Sequence, residues 1–117
     1  MILITGAFGQ VGKILQEKLL GSHKLVLVDR SLDKNFKIDS SSKVIIGDLQ
    51  DRDFVNSIFE NDKIKTVFNL ATNSFVERVK KTEHNLKNRC SVFDNVIEAI
   101  SLNNIKSETW IFQPLSS

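Results

Sequence analysis

Thr5-Gly6-Ala7-Phe8-Gly9-Gln10-Val11-Gly12 follows the apolar run Ile2-Leu3-Ile4 and leads into a segment where Val11, Ile14, Leu15 and Leu19 recur at helical spacing. The spacing predicts a strand over Ile2 to Thr5, a glycine turn, and a helix over Gly9 to Leu20 with Gly21 as its C-terminal stop. Gly6 allows the tight exit from the strand, Gly9 lets the backbone approach phosphates, and Gly12 lets the helix pack closely on the sheet. Backbone N–H groups and the positive end of the helix dipole supply an anion site. The spacing is G-x-x-G-x-x-G, wider at its start than the commoner dinucleotide fingerprint, but it stands where a dinucleotide pyrophosphate would sit.

Outward from this turn, short apolar runs alternate with helix-period segments, the pattern of a parallel sheet built from βαβ units. Lys24 to Asp29 is the second strand, almost wholly apolar because both faces of such a sheet are covered. Ser31 to Ser42 lacks a strong period and reads as a surface loop or short irregular helix. Lys43 to Gly47 is the third strand. Asp51 is placed as the N-cap of a helix with Phe54, Val55, Ile58 and Phe59 on its buried stripe, ending near Asn61. Thr66 to Ala71 is the fourth strand. The longest helix is predicted from Thr82 to Leu102, with Leu86, Cys90, Phe93, Ile97 and Ile100 along one stripe, and Thr109 to Phe112 is a fifth strand. Right-handed crossovers give an α/β, Rossmann-like doubly wound sheet of order 3-2-1-4-5 in one domain over residues 1–117, ending after its fifth strand.

Composition narrows the function classes. The 117 residues are 41% hydrophobic and 26% charged, which suits one globular domain and excludes a disordered chain. Scattered charges with a formal net of +2 argue against a nucleic-acid partner. A single cysteine, Cys90, excludes an internal disulfide and a multi-cysteine zinc site, and no metal site is expected. The absence of a signal-type leader or a long apolar run points to a soluble cytoplasmic protein without a membrane partner. There are eight Phe and no Tyr, so no phenol takes part in the chemistry.

Asp29 ends the second strand, where a carboxylate accepts hydrogen bonds from both adenosine ribose hydroxyls. Its charge repels a 2′-phosphate and so favours NAD over NADP, although Arg30 beside it offers such a phosphate a partner. The cofactor set is therefore Gly6, Ala7, Phe8, Gly9, Gln10, Val11, Gly12, Asp29 and Arg30.

With T-G-A-F-G-Q-V-G, V-D-R at Val28 to Arg30, G-D-L at Gly47 to Leu49 and N-L-A at Asn69 to Ala71, the whole chain resembles the extended short-chain dehydrogenase/reductases, the nucleotide-sugar epimerases and dehydratases. Phe68 to Val76 and Trp110 to Gln113 are most similar to GDP-mannose 4,6-dehydratase-like members. The resemblance implies that Asp48 binds the adenine amino group with Leu49 beside the ring. It also implies that Leu70, Ala71 and Thr72 pass the pyrophosphate and nicotinamide ribose. Asn85 is similar to an Asn early in the family's long helix, and Ser116 to the Ser or Thr of the catalytic set.

The family also uses a Tyr-x-x-x-Lys pair on the next helix, and a C-terminal domain for the nucleotide sugar. With no Tyr and only 117 residues, the chain is expected to be the N-terminal cofactor-binding part of a longer enzyme, inactive alone. Two other readings stay open, a non-catalytic dinucleotide-binding or sensor module and a small flavin- or NADPH-dependent reductase. An exposed fifth strand would also favour a homo-oligomer. The remaining candidates read as structural or solvated: Cys90 as a buried thiol, His23 and His84 as solvated, Arg78 to Lys81 as a solvated helix entry, and Trp110 as core or interface.

Overall fold

Ile2-Leu3-Ile4-Thr5 is buried at every position, because as the central strand β1 it is covered on both faces and paired on both sides. The computed structural model describes residues 1–71, 92–103 and 110–112. Around β1 (Ile2–Thr5) they form α1 (Gln10–Leu19), β2 (Leu25–Asp29), β3 (Lys43–Ile46), α2 (Arg52–Asn61), β4 (Thr66–Asn69), α3 (Val92–Leu102) and β5 (Trp110–Phe112). The five strands lie in the order β3-β2-β1-β4-β5, all parallel, as the alternation of runs predicts.

The pleat divides β1 and β2 between two cores. Leu3, Val26 and Val28, with Val67 of β4, face α2 and α3, where Val55, Ile58, Phe59, Val92, Val96 and Ala99 are buried. Ile2, Ile4, Leu25 and Leu27 face the other way, toward Leu15 and Leu19 of α1 and Ile38 of the β2–β3 connection. Each fully buried aliphatic side chain contributes roughly 1.5–3 kcal/mol relative to exposure, so the strand ends that carry the site rest on a firm two-sided core.

α2 starts where expected, with the Asp51 carboxylate accepting from the backbone N–H groups of Asp53 and Phe54. The Ser31 to Ser42 connection is an irregular loop, with Asp33 and Asp39 each capping a local turn.

Two helices differ in phase from the sequence expectation. Val11 and Ile14 of α1 are 58% and 55% exposed, while Gly12 and Gln16 are buried. The rotation has a local cause: Gly12 rests against the carbonyls of Gly6 and Ala7, and the Gln16 side-chain amide donates to Ala7 O at 2.8 Å. α3 buries Val92, Asn95, Val96 and Ala99, and leaves Ile97 38% exposed. Apolar residues surround this helix on most sides, so two stripes satisfy the same period and packing against α2 selects one. Leu86 and Cys90, and the start expected at Thr82, lie outside the described residues.

Candidate functional site

The carboxyl ends of β1, β2, β3 and β4 meet at one pocket of about 250 Å³, lined by Gly6, Gly9, Asp29, Arg30, Asp48, Leu49, Gln50, Leu70, Ala71 and Val92. This is where ligands bind in an open parallel sheet, outside the strand ends at the point where the order reverses.

Gly6 has φ +66°, a conformation that side-chain-bearing residues rarely adopt, and a Cβ there would stand 2.8 Å from Ala71 N. A Cβ at Gly12 would stand 2.5 Å from Ala7 O. Gly12 thus lets α1 close onto the glycine loop's own backbone, rather than onto the sheet as its position suggested. Gly9 differs: a Cβ there would make only an ordinary contact, 3.4 Å from Gly6 O, so internal packing does not demand a glycine. Gly9 lines the pocket and is also the N-cap of α1, with no side-chain cap, so the first-turn N–H groups are available to an anion. The cradle fits a pyrophosphate.

Asp29 anchors the loop from the next strand. Its Oδ2 accepts from Phe8 N at 2.9 Å and its Oδ1 from Arg30 N at 2.7 Å. Each oxygen retains acceptor capacity for a ribose hydroxyl. Gly47 N donates to Asp29 O at 3.0 Å, which brings the G-D-L segment alongside. There Asp48 Oδ1 accepts from Gln50 N at 2.9 Å.

A second set of polar groups, not singled out by the sequence, holds the β1 and β4 ends together. Thr5 Oγ1 donates to Asn69 Oδ1 at 2.6 Å and accepts from Ala71 N at 3.2 Å, both side chains being fully buried. Leu70 N donates to Thr5 O. The available signal was a polar residue ending each of two apolar strands. Gln16, Gln50, Val92 and Asn95 were likewise missed. Asn95 is 1% exposed; its Nδ2 donates to Leu49 O at 2.9 Å, and its Oδ1 has no hydrogen-bond partner among the described residues.

Of the sequence candidates, Gly6, Gly9, Asp29, Arg30, Asp48, Leu49, Leu70 and Ala71 line the pocket. Ala7 and Gly12 are buried beneath it, and Gln10 and Val11 are exposed on the first turn of α1. Phe8 is half-buried and meets Phe36 edge-on, with ring centroids 6.3 Å apart. Lys13 lies over the Phe36 ring and pairs with Asp33, tying the β2–β3 loop to α1. That partnership, led by the hydrogen bond from Lys13, holds the Asp33 carboxyl below its ordinary pKa. Thr72, Asn85 and Ser116 lie outside the described residues. Among the described residues, no group of three or more His, Cys, Asp or Glu could hold a metal ion, and no helix is long and apolar enough to cross a membrane.

Solved structures share this architecture. The Bordetella bronchiseptica enzyme WbmG, in complex with NAD, is 24% identical with a TM-score of 0.69, the match covering 90% of this chain and 34% of that one. A monomeric L-threonine 3-dehydrogenase from a metagenome is 28% identical with a TM-score of 0.67, covering 99% and 36%. The Thermus thermophilus UDP-glucose 4-epimerase, also in complex with NAD, is 20% identical with a TM-score of 0.68, covering 89% and 34%. The chain thus spans about a third of the length of these proteins. The family described as NAD dependent epimerase/dehydratase matches residues 2–113, nearly the whole chain. With the glycine cradle, the strand-end carboxylates and this match in agreement, the chain belongs to the NAD dependent epimerase/dehydratase family.

Proposed function

We propose that this chain is the NAD-binding portion of a nucleotide-sugar epimerase or dehydratase, in whose longer form hydride passes between sugar and nicotinamide. The observation that carries the NAD reading is Asp29, which lines the pocket while its carboxylate clamps the glycine loop through Phe8 N. A carboxylate at the end of the second strand of such a sheet suits a ribose 2′-hydroxyl and repels a 2′-phosphate. Gly6, Gly9 and the first-turn amides of α1 would hold the pyrophosphate, and Asp48 with Leu49 the adenine. When bound, NAD supplies the hydride acceptor. The sugar substrate rests on the resemblance, and on neighbours that include a UDP-glucose 4-epimerase.

The absence of any Tyr among the 117 residues supports a chain that binds the cofactor without turning over substrate. The same observation favours a second reading, a dinucleotide-binding module acting through a partner. We assign the protein to the cytoplasm because one cysteine suits a reducing compartment.

Thermal unfolding with and without dinucleotide tests the binding. NAD at 100 times its dissociation constant adds about 2.7 kcal/mol to stability. NAD is expected to raise the transition temperature more than NADP at equal concentration, and no response at millimolar NAD would remove the proposal. An in-frame Tyr-x-x-x-Lys encoded downstream of Ser117 would support the enzyme over the module.

A further inference from the structure

Asn95 sits on the inner face of α3, one turn after Val92, which lines the pocket. An apolar residue would suit this buried position better, since the asparagine leaves Oδ1 without a partner among the described residues. Its Nδ2 meets the carbonyl of Leu49, across 46 residues of sequence. That carbonyl belongs to the Leu49–Gln50 peptide, whose N–H on Gln50 donates to Asp48 Oδ1. One rigid peptide plane is therefore pinned at both ends, at 2.9 Å to Asn95 and at 2.9 Å to Asp48. Donation by Asn95 to the carbonyl polarises the peptide and strengthens its N–H as a donor to the carboxylate.

Asp48 lines the pocket next to Leu49. An ionised carboxylate accepts hydrogen bonds and donates none, and beside an apolar wall it suits the amino group of a flat heteroaromatic ring. We infer that Asn95 is a positioning residue for adenine recognition, orienting the Asp48 carboxylate through the Leu49–Gln50 peptide. This role rests on the dinucleotide reading of the pocket, and it links α3 to base recognition.

The test compares NAD with nicotinamide hypoxanthine dinucleotide, in which a carbonyl replaces the adenine amino group, by calorimetric titration of the full chain. The unsubstituted protein is expected to prefer NAD. Asn95→Leu, which removes the donor and keeps the branched heavy-atom outline, is expected to cut that preference about fivefold by weakening NAD alone, one neutral hydrogen bond's effect. In an Asp48→Asn background the same substitution is expected to leave the ratio unchanged, because the carboxylate it orients is gone. NAD binding with an unaltered ratio in Asn95→Leu overturns the role of Asn95 and leaves the dinucleotide reading standing; binding of neither ligand by the unsubstituted protein removes both.

If Asn95→Leu does not fold, nuclear magnetic resonance of the native chain decides. The Asn95 side-chain amide and the Gln50 amide are expected to shift together on adding NAD, and not on adding nicotinamide mononucleotide, which has no adenine. Independent responses overturn the inference.

Discussion

The backbone N–H of Phe8 donates to Asp29 Oδ2 at 2.9 Å, so the carboxylate at the end of β2 is also the clamp on the glycine loop between β1 and α1. Under the proposed NAD reading, this one side chain joins a recognition task to the structural one, and the two separate by substitution. Asp29→Asn keeps an acceptor for Phe8 but loses the charge. It is expected to weaken NAD about tenfold and to narrow the gap to NADP, consistent with a charged hydrogen bond worth about 1.5–3 kcal/mol. Asp29→Ala loses both functions and is expected to cost NAD affinity a further factor of about ten, with faster hydrogen exchange at the Phe8 amide. Equal affinities in the two variants would show that the clamp has no part in binding.

The three loop glycines predict three different outcomes. Gly6→Ala meets both a positive φ and backbone atoms of Leu70 and Ala71, and Gly12→Ala meets the carbonyls of Gly6 and Ala7. Each is expected to cost about 1–3 kcal/mol or more in denaturant unfolding. Gly9→Ala meets nothing closer than 3.4 Å, so it is expected to stay within about 1 kcal/mol of the parent while NAD binding falls. A large stability loss in Gly9→Ala would contradict this division.

Thr5→Val is nearly isosteric and removes only the hydroxyl that joins Asn69 Oδ1 to Ala71 N. Leaving the fully buried Asn69 acceptor without that donor is expected to cost about 1–3 kcal/mol. Thr5→Ser retains the hydroxyl and is expected to recover most of it. Chemical denaturation of both variants checks the pair, and equal losses would assign the effect to packing instead.

The Asp33 carboxyl is held below its ordinary pKa, first by the hydrogen bond from Lys13 and then by the backbone N–H of Asn35. Because the folded value is the lower one, its contribution is present above the unfolded value and is lost as pH falls through the folded one. The group is partly exposed and its partners are screened by solvent, so the effect on global stability is small. Nuclear magnetic resonance titration is expected to place the Asp33 midpoint below that of an unpaired aspartate, and Lys13→Met to move it upward. An unmoved midpoint would exclude Lys13 as the main cause.

β5 stands at the end of the sheet order, and among the described residues no strand pairs with its outer edge. Unpaired backbone groups on an edge recruit a second copy. Sedimentation is expected to show concentration-dependent association, and Ile111→Lys, a charge on that strand, to reduce it. A strict monomer at high concentration would count against pairing through β5.

By itself the sequence determined the order of elements, the parallel sheet and all the residues that line the pocket except Gln50 and Val92. Runs such as Leu25 to Val28 are buried on both faces, Gly6 and Gly12 stand where only a glycine fits, and Asp29 ends the strand beside the loop it clamps. These are local properties, carried by residue type and spacing. Only the tertiary structure decided the phases of α1 and α3, since a 3.6-residue period repeats equally well in more than one phase and packing alone selects among them. It also decided the joining of Thr5 to Asn69 across 64 residues and of Asn95 to the Leu49 carbonyl across 46. Residue type marks Thr5 and Asn69 as polar strand ends, but no local pattern names a partner at such separations; the pairs exist because the fold brings the strand ends and the start of α3 together at one edge of the sheet.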